Sequence, residues 1–209
     1  MKKCTGNLYV ISAPSGTGKT TLVKALVDST PDITVSISHT TRPRRPAETD
    51  GVNYYFIERN QFEKMIEHHD FLEYAHVFGH LYGTSHTWVE ETLKQGKDVI
   101  LEIDWQGAQQ IQTLFTKSIS IFILPPSLKC LHERLLSRKQ DNIDIIQQRI
   151  ADVREAVSHA HEYNYIVMND DFETAMQDLK AIVRAGQLLE RRQVVNYASL
   201  ITDLIKAKL

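Results

Sequence analysis

The sequence predicts an α/β protein whose core is a parallel β-sheet covered by helices. Two observations lead to this prediction: apolar runs of strand length alternate with helical patterns, and a glycine-rich loop joins the first run to the first helix. Such alternation is typical of parallel sheets with helices on both faces. The 209 residues, 42% of them hydrophobic, are enough to bury one such core.

The individual core elements follow from the hydrophobic periods. Buried strands are predicted at Leu8–Ile11, Val99–Ile103, Ile119–Leu124 and Tyr165–Met168. Helices are predicted at Thr20–Asp28, Gln106–Phe115, Ser127–Arg138, Asn142–His161 and Asp171–Arg191. Because ligands of parallel sheets bind at the carboxyl ends of the strands, functional side chains are expected just after them.

Three segments depart from the strand–helix alternation. Residues 38–90 contain aromatic strand-like pieces and glycines, which indicates an inserted, partly β subdomain. Residues 138–150 begin with a polar, charged break and are interpreted as a lid. Residues 189–209 form an amphipathic extension whose spacing suits a helix packed on the core or on a second subunit. The predicted domain therefore spans 5–188, with its core at 5–37, 91–137 and 151–188.

Composition excludes several classes of protein. The formal net charge of -2 argues against general affinity for nucleic acid, which needs a basic surface. No apolar run approaches the length of a membrane span, and the N-terminal segment does not resemble a signal peptide. Cys4 and Cys130 are too few for a disulfide framework. We expect a cytoplasmic protein with reduced thiols and without a membrane partner.

The most specific motif lies at Ala13-Pro14-Ser15-Gly16-Thr17-Gly18-Lys19-Thr20, between a predicted strand and a predicted helix. Glycines in such a P-loop let successive N–H groups point into one concavity, and the helix N-terminus favours an anion. Lys19 can reach the β- and γ-phosphates, and the Thr20 hydroxyl can ligate Mg²⁺. The alternative is a glycine-rich helix entry without a ligand. Ala13 stands where the pattern has its first glycine.

Two carboxylates, Glu102 and Asp104, end an apolar strand next to this loop in the predicted sheet. Their spacing places both on one face of the strand. Waters bound to Mg²⁺ need anionic acceptors, so we expect both residues to contact the ion through water. The alternative is a strand end that meets solvent.

The arginines Arg42, Arg44 and Arg45 lie within four positions, with prolines at 43 and 46. Prolines restrict the backbone, which suits guanidinium groups held ready for bidentate pairing with a phosphate. A nucleic-acid patch would need a longer basic run, and acidic residues follow at 48 and 50. A solvated loop is the other alternative.

A charged residue, Glu73, interrupts the apolar segment 71–78. There a carboxylate must find a partner or face solvent. It can accept two hydrogen bonds from the N1–H and N2–H₂ edge of guanine, whereas adenine presents an acceptor at N1; such a pairing discriminates strongly. Tyr54 and Tyr82 could donate to a phosphate, and Ser38 and Thr84 could contact a base. The nine histidines show no zinc spacing on a helix.

With these residues in place, the chain resembles the guanylate kinase family along nearly its whole length. Besides the P-loop, the resemblance is carried by Ser36–Arg45, Gly51–Phe56, Phe71–Ala75, Tyr82–Thr84, Leu101–Gly107 and Val167–Asp171. The Thr-Thr-Arg-x-x-Arg and Asp-x-Gln-Gly pieces, in this order with the P-loop, are highly specific.

The resemblance implies the P-loop nucleoside monophosphate kinase fold and transfer of the γ-phosphoryl group of Mg-ATP to GMP, a step of purine nucleotide metabolism. Mg²⁺ would be held by Thr20, with Glu102 and Asp104 through water. The implied ATP contacts are Ala13, Pro14, Ser15, Gly16, Thr17, Gly18, Lys19, Thr20, Thr21 and Asn169. The implied GMP contacts are Ser38, Arg42, Arg45, Tyr54, Glu73, Tyr82, Thr84 and Asp104. The implied catalytic cations are Lys19, Arg42, Arg45, Arg138 and Arg149.

The sequence departs from the family pattern in the lid. That segment usually reads Arg-Gly-Thr followed by an acidic residue, whereas this chain has Arg138-Lys139-Gln140-Asp141. Two alternatives stay open at this point: a kinase for another phosphorylated acceptor, such as a ribose bisphosphate, and an inactive protein-interaction module with the same fold. Such modules tend to lose the P-loop lysine and glycines, which this chain keeps. A homo-oligomer is possible.

Overall fold

The computed structural model of the chain describes residues 4–137 and 152–207. Its strands are, in chain order, Leu8–Ser12 (β1), Ile33–Val35 (β2), His39–Thr40 (β3), Tyr55–Phe56 (β4), Phe71–Val77 (β5), His80–Ser85 (β6), Asp98–Glu102 (β7), Ile119–Leu124 (β8) and Tyr165–Met168 (β9). Its helices are Lys19–Ser29 (α1), Arg59–Glu67 (α2), His86–Lys94 (α3), Trp105–Leu114 (α4), Leu128–Ser137 (α5), 152–158 (α6, as far as it is described), Phe172–Gln187 (α7), Glu190–Asn196 (α8) and Ala198–Lys206 (α9). A 3₁₀ turn covers Ala160–Glu162.

A parallel sheet in the order β2-β7-β1-β8-β9 forms the core. Strand β1 lies at its centre and is buried on both faces, because successive side chains point to opposite sides. Tyr9 and Ile11 belong to the apolar cluster that α1 and α7 cover, whereas Leu8 and Val10 belong to the cluster under α3 and α4. Helices therefore cover both faces of the sheet, which confirms the predicted α/β class.

A second sheet, in the order β4-β3-β6-β5, lies within residues 38–90. Its β5–β6 hairpin turns at Phe78 and Gly79, with φ of 49° and 81°. Two left-handed residues make a turn whose twist matches that of the strands. Helix α2 packs on this sheet through Phe62, which is fully buried and stacks on Phe71 at 4.4 Å. The sequence predicted the β character of this segment but not α2.

Two sequence predictions about element ends are wrong. The strand predicted at 99–103 ends at Glu102, and Asp104 instead caps the N-terminus of α4. The helix predicted to run to Arg191 ends at Gln187, because Leu189 is extended (φ -53°, ψ 137°) before α8 begins. This break lets Arg192 pair with the buried Asp98 carboxylate at 2.5 Å. The short edge strand β2 was not predicted.

The C-terminal helices α8 and α9 leave apolar side chains open to solvent. Leu204 and Ile205 are 66% and 78% exposed. Their apolar side is thus not packed on the described part of this chain. Among the described residues, no helix is both long and apolar enough to cross a membrane.

Candidate active site

The P-loop joins β1 to α1 and is shaped by its own backbone. Gly16 and Gly18 have φ of 89° and 99°, a region that side chains other than glycine's rarely adopt. The Thr17 N–H and hydroxyl both donate to the Pro14 carbonyl, at 3.2 and 2.8 Å. These bonds curl the loop back on itself ahead of the helix.

The N-terminus of α1 is prepared for an anion. Gly18 occupies the capping position without a side chain, and the first turn holds no acidic residue. No side chain of this first turn therefore accepts from the backbone N–H groups or neutralises the positive end of the helix dipole. Of the predicted nucleotide contacts here, Thr20 and Thr21 are exposed and Ala13 is buried beneath the loop.

Asn169 holds the P-loop from beneath. It follows β9, is 6% exposed, and donates from its side-chain amide to the Thr17 carbonyl at 2.6 Å. Its own N–H donates to the Leu124 carbonyl at 2.8 Å. The sequence predicted an adenine contact for Asn169; the bond to Thr17 supports the loop that would hold the phosphates, and the adenine contact stays a prediction.

Lys19 and the predicted metal residues meet beside the loop. The Lys19 ammonium lies 3.9 Å from Asp104 Oδ1 and 3.5 Å from the Ile103 carbonyl. The Thr20 hydroxyl donates to Glu102 Oε1. One hydroxyl and two carboxylates are hard oxygen donors of the kind that Mg²⁺ prefers, and a Mg²⁺ ion bound by so few side chains keeps several waters. No group of three or more His, Cys, Asp or Glu within 4–137 and 152–207 is arranged to hold a metal alone.

Glu48 joins the two predicted phosphate arginines. It accepts from Arg42 Nη2 at 2.6 Å and from the Arg45 N–H at 2.8 Å. Burial opposes both charges, but this pairing outweighs it, so the pKa of Arg42 is raised and the pKa of Glu48 is lowered. The pairing fixes Arg42 in place. No role was predicted for Glu48 from the sequence, although an acidic residue so close to the arginines is a signal of such a pairing.

Aromatic side chains surround the Arg42 guanidinium. The rings of Tyr54 and Phe56 lie 5.5 and 5.7 Å from its central carbon, within the range of cation–π attraction. Tyr54 and Tyr82 are in edge-to-face contact at 5.9 Å. The structure thus brings together Arg42, Tyr54 and Tyr82, three of the four residues predicted to bind the acceptor phosphate.

Glu73 is buried in the second sheet and is only 4% exposed. It pairs with Thr84 across the β5–β6 hairpin and accepts from the Thr84 hydroxyl at 2.6 Å. Burial raises the pKa of Glu73 to about 7, and Asp104 adds to the shift while the bond to Thr84 opposes it. Ser38 stands at the start of β3, where its carbonyl accepts from the Tyr55 N–H at 2.9 Å.

The two sheets present their polar residues to each other. Burial raises the pKa of Tyr54, and the carboxylates of Glu102 and Asp104 from the core add to that shift. Glu73 likewise lies against α4, whose Gly107 has no room for a side chain beside the carboxylate. The second sheet therefore lies near Glu102 and Asp104, the carboxylates that contact Thr20 and Lys19 of the P-loop. Arg138 and Arg149, and the predicted lid 138–150 to which they belong, lie outside the described residues.

Comparisons with known proteins agree with this arrangement. The family model for guanylate kinase matches residues 5–186. Guanylate kinase of Pseudomonas fluorescens (strain Pf0-1) is 56% identical over 205 residues, covering 98% of this chain and 100% of that protein. Guanylate kinase of Vibrio parahaemolyticus is 50% identical over 202 residues, covering 96% and 98%.

A solved structure supports the same relationship. The crystal structure of guanylate kinase from Anaplasma phagocytophilum matches with a TM-score of 0.75 and 31% identity, over 91% of this chain and 90% of that one. This match confirms the predicted P-loop kinase fold. The sequence relatives, the family model and the fold agree, and the chain therefore belongs to the guanylate kinase family of nucleoside monophosphate kinases.

Proposed function

We propose that this enzyme transfers the γ-phosphoryl group of Mg-ATP to GMP, giving ADP and GDP. The observation that carries the proposal is Glu73, a carboxylate of the second sheet that is 4% exposed and accepts a hydrogen bond from the Thr84 hydroxyl. A buried acceptor of this kind pairs with the two donors of guanine and opposes the N1 acceptor of adenine.

The donor half of the site is the P-loop. Its backbone N–H groups and the N-terminus of α1 would bind the phosphates of ATP, and Lys19 would neutralise charge on the β- and γ-phosphates. Thr20 would contact Mg²⁺, with Glu102 and Asp104 holding its waters. When bound, this ion would offset the negative charge that develops on the phosphate oxygens. The contacts of Ala13, Ser15, Thr21 and Asn169 with ATP are part of the same proposal.

The acceptor half is the sheet within residues 38–90. Arg42 and Arg45 would pair with the phosphate of GMP, and the Tyr54 and Tyr82 hydroxyls would donate to it. Glu48 supports this role because it fixes Arg42 before any ligand binds. Glu73 would read guanine, with Ser38 and Thr84 beside it.

Little covalent chemistry is asked of the protein in this reaction. The acceptor phosphate is already an anionic nucleophile, so positioning and charge neutralisation would supply most of the catalysis. Lys19 would supply positive charge from the donor half of the site and Arg42 from the acceptor half. The predicted lid arginines Arg138 and Arg149 would add positive charge, and that role stays a prediction, as do the cytoplasmic location and the homo-oligomer.

An acceptor panel tests the proposed function. Release of ADP from ATP is followed in a coupled assay with Mg²⁺ and with GMP, AMP or ribose 5-phosphate as acceptor. We expect turnover with GMP and a kcat/KM at least about a hundredfold lower with AMP, because a site built to hydrogen-bond one substrate rejects an analogue that cannot make the same bonds. Absence of GMP turnover despite GMP binding would refute the phosphotransfer. Preference for the sugar phosphate would identify a different acceptor on the same fold.

A further inference from the structure

Helix α4 passes beneath Glu73 at Gly107, where the two elements come very close. A methyl group placed on Gly107 would overlap Glu73 Oε2 and lie 3.1 Å from Glu73 Cδ. The next nearest atom is Ile103 Cδ1, at 3.3 Å. The space that a side chain at position 107 would need is thus taken mainly by the Glu73 carboxyl group.

On its other side the carboxylate is held by β6. The Thr84 hydroxyl donates to Glu73 Oε1 at 2.6 Å, so one oxygen is bonded to the hairpin while the other rests on α4. Thr84 is fully buried and Glu73 is nearly so. The carboxylate therefore lies between two rigid elements, and its place depends on both.

The backbone of α4 does not itself call for a glycine at this position. Gly107 lies within a regular helix and is not among the glycines with positive φ. In a helix interior, glycine is about 1 kcal/mol less favourable than alanine. What alanine would disturb is the end of a flexible side chain rather than a neighbouring backbone. Glycine at position 107 is thus explained by the space that the Glu73 carboxylate occupies rather than by the conformation of the helix.

We propose that Gly107 is a positioning residue for acceptor selection. Because Gly107 has no side chain, the Glu73 carboxylate can lie against α4, in the position from which it would accept hydrogen bonds from guanine. This inference rests on the proposed transfer to GMP and adds a residue on the core helix α4 to the selection performed by the second sheet. A side chain at position 107 would push the carboxylate away from α4 and out of this position. The fold would tolerate a small side chain at position 107, whereas the contact between Glu73 and guanine would be lost.

Gly107→Ala tests the inference. Steady-state ADP release is measured with GMP and AMP as acceptors, and the KM for ATP is determined at saturating GMP. We expect the KM for GMP to rise about tenfold or more, the consequence of displacing one hydrogen bond to a charged group. The KM for ATP should stay within about twofold, because the P-loop is untouched.

Gly186→Ala is the matched control. Gly186 is also a buried helical glycine, and a methyl group there would overlap the Tyr9 hydroxyl, on the face of the sheet that α7 covers. This change should lower the Tm while leaving the ratio of GMP to AMP turnover as in the wild type. The comparison separates loss of packing from displacement of Glu73.

A second variant addresses the carboxylate directly. Aspartate withdraws the carboxyl group by one methylene, so Glu73→Asp relieves the overlap in the Gly107→Ala protein. The rise in KM for GMP of the double variant should be at least about threefold smaller than the product of the two single effects. If Gly107→Ala does not fold but the double variant does, the carboxylate is again identified as the obstructing group.

Other outcomes overturn the inference. If the wild type phosphorylates GMP and Gly107→Ala keeps the wild-type KM and selectivity, Gly107 has no positioning role, and the proposed function is unaffected. The positioning role is equally refuted if the effects of Gly107→Ala and Glu73→Asp on the KM for GMP multiply independently. It is also refuted if the KM values for GMP and ATP rise together in Gly107→Ala, or if neither Gly107→Ala nor the double variant folds. Failure of the wild type to phosphorylate GMP would refute the proposed function and this inference with it.

Discussion

In the proposed reaction the P-loop and the second sheet each bind a phosphorylated ligand, but they would do so by different means. The P-loop uses consecutive residues and backbone donors, with Gly16 and Gly18 in left-handed conformations. The second sheet uses side chains from distant positions, and the pairing of Arg42 with Glu48 and of Glu73 with Thr84 fixes them. Backbone donors bind any polyphosphate, whereas paired side chains can distinguish one acceptor from another. We therefore assign general affinity to the first region and selectivity to the second.

The largest change in kcat is expected from a substitution in the P-loop. Lys19→Met should lower kcat at least about a hundredfold, because it removes a charge placed where the transferred group develops its own. The KM for GMP should change by less than about threefold, since we place GMP in the other region. Steady-state ADP release with varied GMP gives both values. Lys24→Met, at an exposed position of the same helix, is the control. A rise in KM for GMP equal to the fall in kcat would break the separation of the two regions.

The second effect tests the side-chain pairing of the acceptor region. Arg42→Lys keeps the charge but loses the planar fork that pairs with a phosphate and with Glu48. The KM for GMP should rise about tenfold to a hundredfold, while the KM for ATP stays near the wild-type value. Arg44→Lys, exposed and two positions away, should behave as the wild type. Equal effects of the two changes would show that charge alone matters in this segment.

The third effect is a dependence on pH that only the acceptor region should show. The pKa of Glu73 is raised by burial to about 7, so the carboxylate is progressively protonated below that pH. A protonated carboxyl group no longer accepts both guanine donors, and the KM for GMP should rise by up to about tenfold per pH unit between 7 and 5. The KM for ATP should not rise in the same way as the pH is lowered. In Glu73→Gln the dependence on pH should flatten; a dependence as steep as the wild type's would assign the titration to another group.

The smallest effect concerns the support of the P-loop. Asn169→Ala removes the 2.6 Å bond to the Thr17 carbonyl, a buried interaction worth about 1 kcal/mol. We expect a rise in KM for ATP of about threefold and a lower Tm, with the KM for GMP unchanged. Asn60→Ala, at an exposed position of α2, is the control. A larger effect on GMP than on ATP would contradict the assignment of Asn169 to the donor half.

Local features of the site could be predicted from the sequence, and features made by distant pairs could not. The P-loop is a local pattern, so its glycines, Lys19 and the following helix were all predicted in place. The sequence left open whether Glu73 is buried with a partner or faces solvent, because the pattern of an apolar strand does not show which face packs on the core. Its partner Thr84 and its neighbour Gly107 come from other elements, and only the fold brings them together.

Errors in the predicted elements have similar causes. Strand β2 has three residues, too few for a period to be recognised in the sequence. The helix predicted at 171–191 has a continuous helical pattern, but the chain turns after Gln187 so that Arg192 can reach Asp98. That pairing of residues far apart in sequence overrides the local preference. Asp104 was placed on a strand by alternation, whereas it is the N-cap residue that precedes α4.

The preference for GMP over AMP, measured as a ratio of kcat/KM values in the wild type and in Glu73→Gln, shows whether Glu73 selects the acceptor. We predict that the ratio falls at least about tenfold in the variant, because the amide offers one acceptor where the carboxylate offers two. The KM for ATP, measured in the same preparations, should stay within about twofold of the wild-type value. An unchanged ratio, or a loss shared equally with ATP, would contradict the division between a general donor half and a selective acceptor half.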